Sequence, residues 1–358
     1  MSNTGVSAYA YVFTRVRGMI GKLLELDTYN RMAGCPDLFS LFGVLKDTEY
    51  GEFLLNPKEN VITARRASYE IRKKLTQAFR TILKFSPENV QALLTLTFQL
   101  YEVDNLKAVL RGIEIGKSWE TIRTMLFPME DFQTLPFEEL VRLGSVESAI
   151  SHIPHSPYCQ VLTLALNRYR EEKSLFPLEV ALDLDYWRKV WEQVNALPKS
   201  DREIARKLFG MLIDKNNLTW AARYRIYHHF SESEIINYTL PFGYKIDDTV
   251  IRGIASGREL PEMIEKAYPS MAVFLMHEGK AIDKLPMIEV ALMRMFLQTC
   301  RSTFAQASFN IGLILAYLFT LEIEIQDITL LIEAKALGIR QERFTPYLIN
   351  QVNLAGKN

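Results

Sequence analysis

The chain has 358 residues, and Lys plus Arg equal Asp plus Glu at 42 each, so its formal net charge is zero. A neutral chain has no long-range field to gather nucleic acid or hold an anionic membrane surface, and 48% hydrophobic residues with charges mixed among them exclude intrinsic disorder. Three scattered cysteines, Cys35, Cys159 and Cys300, with no CxxC, give neither a disulfide framework nor a zinc site and fit a reducing cytoplasm.

The opening, MSNTGVSAYAYVFTRVR, lacks a basic segment followed by a long apolar core, so no signal peptide is predicted. Val12, Val16, Met19, Ile20, Leu23 and Leu24 recur at helical spacing and predict an amphipathic helix over residues 9–26. A short helix over 38–45 ends at Asp47-Thr48-Glu49-Tyr50-Gly51. Residues 61–85 hold no Gly or Pro and predict a long helix. Ser86-Pro87 then reads as N-cap and first residue of another, running through Glu102 to about Ile115. Helices follow over 137–153, 158–173 and 178–196, with Ser200-Asp201-Arg202-Glu203 in the form of a capping box after Pro198. Residues 243–257 read as a linker, and the last third predicts helices over 260–276, 286–299 and 304–338. Residues 302–321 carry no formal charge, but only 312–319 are continuously apolar, about 12 Å of helix against a hydrocarbon core of about 30 Å. A buried bundle helix is predicted there. No stretch alternates with period two, so the class is all-α.

Three segments share one polar pattern: Glu102-Val103-Asp104-Asn105-Leu106, Asp214-Lys215-Asn216-Asn217-Leu218 and Glu324-Ile325-Gln326-Asp327-Ile328. Their leading acids are 112 and 110 residues apart, and Tyr50, Tyr158 and Tyr268 recur at 108 and 110. The period is that of a domain, which predicts three homologous helical-bundle modules over 1–130, 131–245 and 246–358. A long helix capped 16, 14 and 16 residues before its acid, at Ser86, Ser200 and Ser308, is expected in each.

Most candidate chemistry fails on spacing. Arg111–Ser118, RGIEIGKS, lacks the first glycine of a phosphate loop and the strand before it, so it reads as a helix stop, with no direct nucleotide binding. His152, His155, His228 and His229 lack metal-ligand spacing, Cys35 has no base placed beside it, and no catalytic, cofactor or metal residue is expected. The pairs Glu102/Asn105, Asp214/Asn217 and Glu324/Asp327 are spaced i,i+3 and share a helix face. They, with Tyr50, Tyr158 and Tyr268, are read in two ways: as acids lining a shared interface, or, the preferred reading, as groups pairing with neighbouring helices within each module.

YAYVFTRVRGMIGKLL at 9–24, LKDTEYG at 45–51, IDKNNLTWAARYR at 213–225 and above all LAYLFTLEIEIQDITLLIEAKALGI at 315–339 carry a resemblance spanning nearly the whole chain. It resembles the C-subunit family of bacterial and archaeal V/A-type rotary ATPases, relatives of the d subunit of the eukaryotic vacuolar enzyme. The resemblance implies a non-catalytic, pseudo-threefold helical funnel, cytoplasmic and peripheral to the membrane. Its base would rest on the proteolipid rotor ring and its cavity would receive the central shaft, made of D- and F-type subunits. The alternatives are a helical adaptor outside rotary ATPases, or an enzyme whose site is assembled between modules.

Overall fold

The structure is a computed structural model that describes residues 4–54, 62–271, 276–277, 280–281, 285–306 and 309–350. Helix makes up 76% of it, and among the described residues the one strand pairing is the two-residue ladder of Met276–His277 with Lys280–Ala281. The chain is all-α.

In order, the helices are α1 (Thr4–Ile20), α2 (Leu26–Gly34), α3 (Leu38–Lys46), α4 (Gly51–Leu54), α5 (Ala64–Phe85), α6 (Glu88–Glu114), α7 (Trp119–Ile122), α8 (Phe137–Arg142) and α9 (Val146–Ser151). The second half adds α10 (Cys159–Glu172), α11 (Phe176–Ala196), α12 (Lys199–His228), α13 (Glu232–Asn237), α14 (Asp248–Ser256), α15 (Leu260–Ala267), α16 (Leu285–Phe304), α17 (Gly312–Ala336) and α18 (Gln341–Phe344). Side-chain oxygens start several of them by taking an orphan N–H of the first turn: Asp37 for α3, Thr63 for α5, Ser145 for α9 and Asp247 for α14. Ser231 and Glu234 form a reciprocal capping box on α13.

The chain divides into two compact units, Met1–Val90 with Val194–Asn358, and Gln91–Gln193. In the first, α17 packs against α5 and α16, and α12 against α16 and α14. Ile314, Leu315, Ala316, Leu318 and Leu321 are all buried on α17, which explains why an uncharged stretch forms here without a membrane. Among the described residues no helix is long and apolar enough to cross one. In the second unit, Phe98 packs against Tyr101, Phe127 and Phe132, and Tyr101 stacks on Phe127 with ring centroids 4.0 Å apart.

Several predicted boundaries move. The helix expected over 137–153 is two, α8 and α9, because Gly144 adopts φ 70° and breaks it. The expected linker 243–257 contains α14. The last long helix starts at Gly312, after α16 has ended at Phe304, and the expected cap Ser308 lies outside the described residues. The predicted cap at Ser200 is a correction: α12 opens on Pro198 with no side-chain cap. The carboxylate of neighbouring Asp201 instead accepts long-range bonds from the Tyr9 hydroxyl (3.0 Å) and the Ile311 N–H (2.8 Å). Ser86 ends α5 and donates to the Ile82 carbonyl.

Candidate functional site: three buried acid clasps

Glu102 and Asn105 lie on α6, Asp214 and Asn217 on α12, and Glu324 and Asp327 on α17. All six are buried, the leading acids to 0%, 0% and 3% exposure. A buried carboxylate must find donors or neutralise, and each of these finds several.

Glu102 accepts from the backbone N–H groups of Thr134 and Leu135, from the Thr134 hydroxyl (2.9 Å) and from the Tyr158 hydroxyl (2.9 Å). Asp214 accepts from the N–H groups of Tyr244 (2.9 Å) and Lys245 (2.7 Å) and from the Tyr268 hydroxyl. Glu324 accepts from the Leu24 N–H (2.6 Å), the Tyr50 hydroxyl (2.7 Å) and the Tyr29 hydroxyl (3.5 Å). One scheme is thus built three times: a helix acid holds backbone N–H of a loop and the tyrosine that follows it. At Asp214 a Cβ on Gly243 would collide with the carboxylate, so only glycine lets the loop bring its next two N–H groups this close.

The second polar position anchors another loop. Asn105 accepts from the Phe127 N–H (2.7 Å) and donates to the Phe127 carbonyl (2.9 Å). Asn217 does the same to Leu240, at 2.8 and 2.9 Å. Asp327 has no N–H to give. It accepts from the Ile349 N–H (2.8 Å), the Asn350 N–H (2.7 Å) and the Asn350 side chain (2.9 Å).

The pairing follows an order that spacing does not disclose. Each acid holds the tyrosine of the next repeat: Glu102 with Tyr158, Asp214 with Tyr268, and Glu324, the last, with Tyr50, the first. The partners of Glu102 and Asp214 are 30 to 56 residues away, whereas those of Glu324 are 300, 295 and 274 away.

Burial first, and the adjoining carboxylate second, push the hydroxyls of Tyr50, Tyr158 and Tyr268 far above their ordinary range, so they remain donors. Burial raises the carboxyls of Asp214 and Glu324 and brings Asp327 up to about 6, against the opposing pull of their N–H and O–H donors. A cation stands near two clasps: Lys74 Nζ lies 3.9 Å from the Tyr50 ring centroid, and Lys245 Nζ lies 5.1 Å from that of Tyr268. The N–H donors of Leu24, Thr134, Leu135, Tyr244 and Lys245 escaped sequence reasoning because a backbone group carries no residue signature. Tyr29 and Lys74 escaped it because neither recurs in the other repeats.

The near-miss Arg111–Ser118 is a helix end. Gly116 adopts φ 65°, the Lys117 N–H closes on the Gly112 carbonyl at 2.8 Å, and Arg111 is engaged by Glu179. His152 faces Glu139 at 3.3 Å, and among the described residues no group of His, Cys, Asp or Glu is placed to hold a metal.

A family model described as ATP synthase (C/AC39) subunit matches residues 12–347, and so contains all three clasps. The chain belongs to the ATP synthase (C/AC39) subunit family. Among the relatives of this C/AC39 chain is the C subunit of the A-type ATP synthase of Methanocaldococcus jannaschii, 22% identical over 349 residues that cover 96% of this chain and 87% of the relative. The A-type C subunit of Haloferax volcanii is 21% identical over 357 residues, covering 98% and 99%, and that of Methanosarcina mazei 19% over 345, covering 96% and 94%.

Proposed function

We propose that this chain is a non-catalytic subunit of a rotary A/V-type ATP synthase, a socket in the central stalk between the proteolipid rotor ring and the D- and F-type shaft. It passes torque from one to the other in ATP-coupled H⁺ or Na⁺ transport, on the cytoplasmic face of the membrane. The observation that carries this reading is the family match over residues 12–347 together with full-length likeness to A-type ATP synthase C subunits.

The three modules, 1–130, 131–245 and 246–358, form a pseudo-threefold funnel in this proposal, and the clasps support it. A torque-bearing part needs joints that resist shear. A buried carboxylate held by several short N–H and O–H bonds is such a joint, since moving either side strands polar groups out of water. An acid helix that holds the next repeat's loop, with the last repeat returning to the first, links the repeats in a closed cycle. The nine residues Glu102, Asn105, Asp214, Asn217, Glu324, Asp327, Tyr50, Tyr158 and Tyr268 therefore serve as structural joints in this proposal, and the shaft is met by other surfaces.

Purification of the native protein with its bound partners tests the reading. Co-isolation with a proteolipid ring and ATPase subunits is expected. Recovery of the chain alone, or Mg-ATP binding at micromolar levels that Lys117→Ala abolishes, contradicts it.

A further inference from the structure

The first compact unit holds a cavity of about 650 Å³ beside the Glu324 clasp, between α1 and α5. Its wall includes Leu23, Glu49 and Tyr317, of which the first two adjoin the clasp residues Leu24 and Tyr50 in the chain, while Tyr317 lies on the same helix as Glu324. The rest of the wall mixes apolar Met19 and Ala78 with polar Gln77 and Thr81, and Arg15 and Lys22 stand on it as exposed cations.

Lys74 also lines this cavity. Its ammonium is sealed from solvent and, among the described residues, has no hydrogen-bond acceptor; it rests on the face of Tyr50. Glu324, the acid that acts most strongly on it, accepts from Leu24, Tyr29 and Tyr50 and takes no hydrogen bond from Lys74. An ammonium carries three donors, and burying them unused is costly enough that such groups normally pair. Burial lowers the pKa of Lys74, against the pull of Glu324, Glu49 and Glu52. Its four-carbon stem lets the head swing from the ring face into the cavity that the stem already lines.

We propose that this cavity binds a small amphipathic monoanion, its carboxylate taken by Lys74 with Arg15 at the mouth and its apolar body lying along Met19, Leu23 and Tyr317. A single anionic charge fits better than a polyphosphate, because the wall sets three cations, Arg15, Lys22 and Lys74, against two acids, Glu49 and Glu52, with Lys22 already paired to Glu49 at 3.1 Å. None of this site overlaps the acids of the clasps, so it stands or falls apart from the torque-transmitting role.

The test uses octanoate as probe and 1-octanol as its uncharged counterpart, titrated calorimetrically into the whole protein. Saturable binding of octanoate below about 1 mM is expected, at least about tenfold tighter than 1-octanol, with a rise in the thermal midpoint as the site fills. Lys74→Met should remove that preference, with some loss of stability because it takes away the cation that offsets burial of Glu324. A second variant guards against a fold defect at Lys74. Gly18, on α1 and on the cavity wall, has nothing within 4 Å of an added Cβ, so Gly18→Leu can fill the cavity without disturbing the backbone. It should abolish binding with Lys74 intact. No saturable binding up to about 5 mM, equal affinity for octanoate and 1-octanol, or unchanged binding in either variant overturns the proposal.

Discussion

The clasps at Glu102 and Glu324 use the same chemistry and reach it by opposite routes. Glu102 is satisfied by chain that follows within 32, 33 and 56 residues, so its loop and tyrosine arrive as part of the same local fold. Glu324 draws its donors from 300, 295 and 274 residues away and joins the start of the chain to its last long helix. Closing the second joint costs about 2 kcal/mol more chain entropy than closing the first, so it is expected to form later in folding. A repeated motif therefore fixes the bonds an acid makes without fixing when in folding, or across what distance, it makes them.

The largest effects should come from removing the acids. Glu324→Ala strands the Leu24 N–H and two tyrosine hydroxyls and leaves Lys74 without its nearby carboxylate, a loss of about 3–5 kcal/mol. Glu102→Ala strands four donors, one more than Glu324→Ala, but no cation, so a smaller loss is expected. Urea unfolding of both variants ranks them, and an equal or reversed order would break the contrast. Unfolding kinetics sharpen it: Glu324→Ala should act mainly on the unfolding rate, because its contacts close late.

Removing one hydroxyl is milder. Tyr50→Phe, Tyr158→Phe and Tyr268→Phe each delete a donor to a buried carboxylate, and each should cost about 1.5–3 kcal/mol in the same measurement. A variant within error of wild type would show that its hydroxyl is dispensable to the clasp.

At the second position the third repeat carries Asp327 where the others carry Asn105 and Asn217. Burial holds its carboxyl at about 6, above an ordinary 3.8. Between those values the folded protein keeps a proton that the unfolded chain has lost, so this group makes stability fall as pH rises through that window. Asp327→Asn removes the slope. The stability of wild type relative to the variant should therefore drop by about 1 kcal/mol from roughly pH 5 to pH 7. A constant difference across that range would place Asp327 near its ordinary value.

The smallest effect marks the contrast between buried joints and surface charge. Arg252 and Glu232 pair at 3.2 Å with side chains 53% and 47% exposed, and Arg252→Ala should change stability by less than about 0.5 kcal/mol.

Much of this was legible in the sequence. Helical apolar spacing without period-two alternation pointed to the all-α class, and the spacing of Glu102, Asp214 and Glu324 and of Tyr50, Tyr158 and Tyr268 picked out the six residues that meet. Which acid meets which tyrosine was not legible, because a linear repeat does not say that its last copy returns to its first. Helix ends were the least legible. Gly144 breaks a helix whose apolar period runs straight through it, and Ser200, with the form of a cap, caps nothing because α12 already opens at Pro198, while neighbouring Asp201 is held by Tyr9 and the Ile311 N–H, groups 192 and 110 residues away.

The most direct test of the clasps as structural joints is the triple variant Glu102→Gln, Asp214→Gln and Glu324→Gln, followed by thermal melts and by titration with the central shaft subunits. A melt several degrees lower, with shaft affinity unchanged where the variant is folded, is the expected result. An unchanged melt with weaker, more salt-sensitive shaft binding would contradict it and return these acids to the interface.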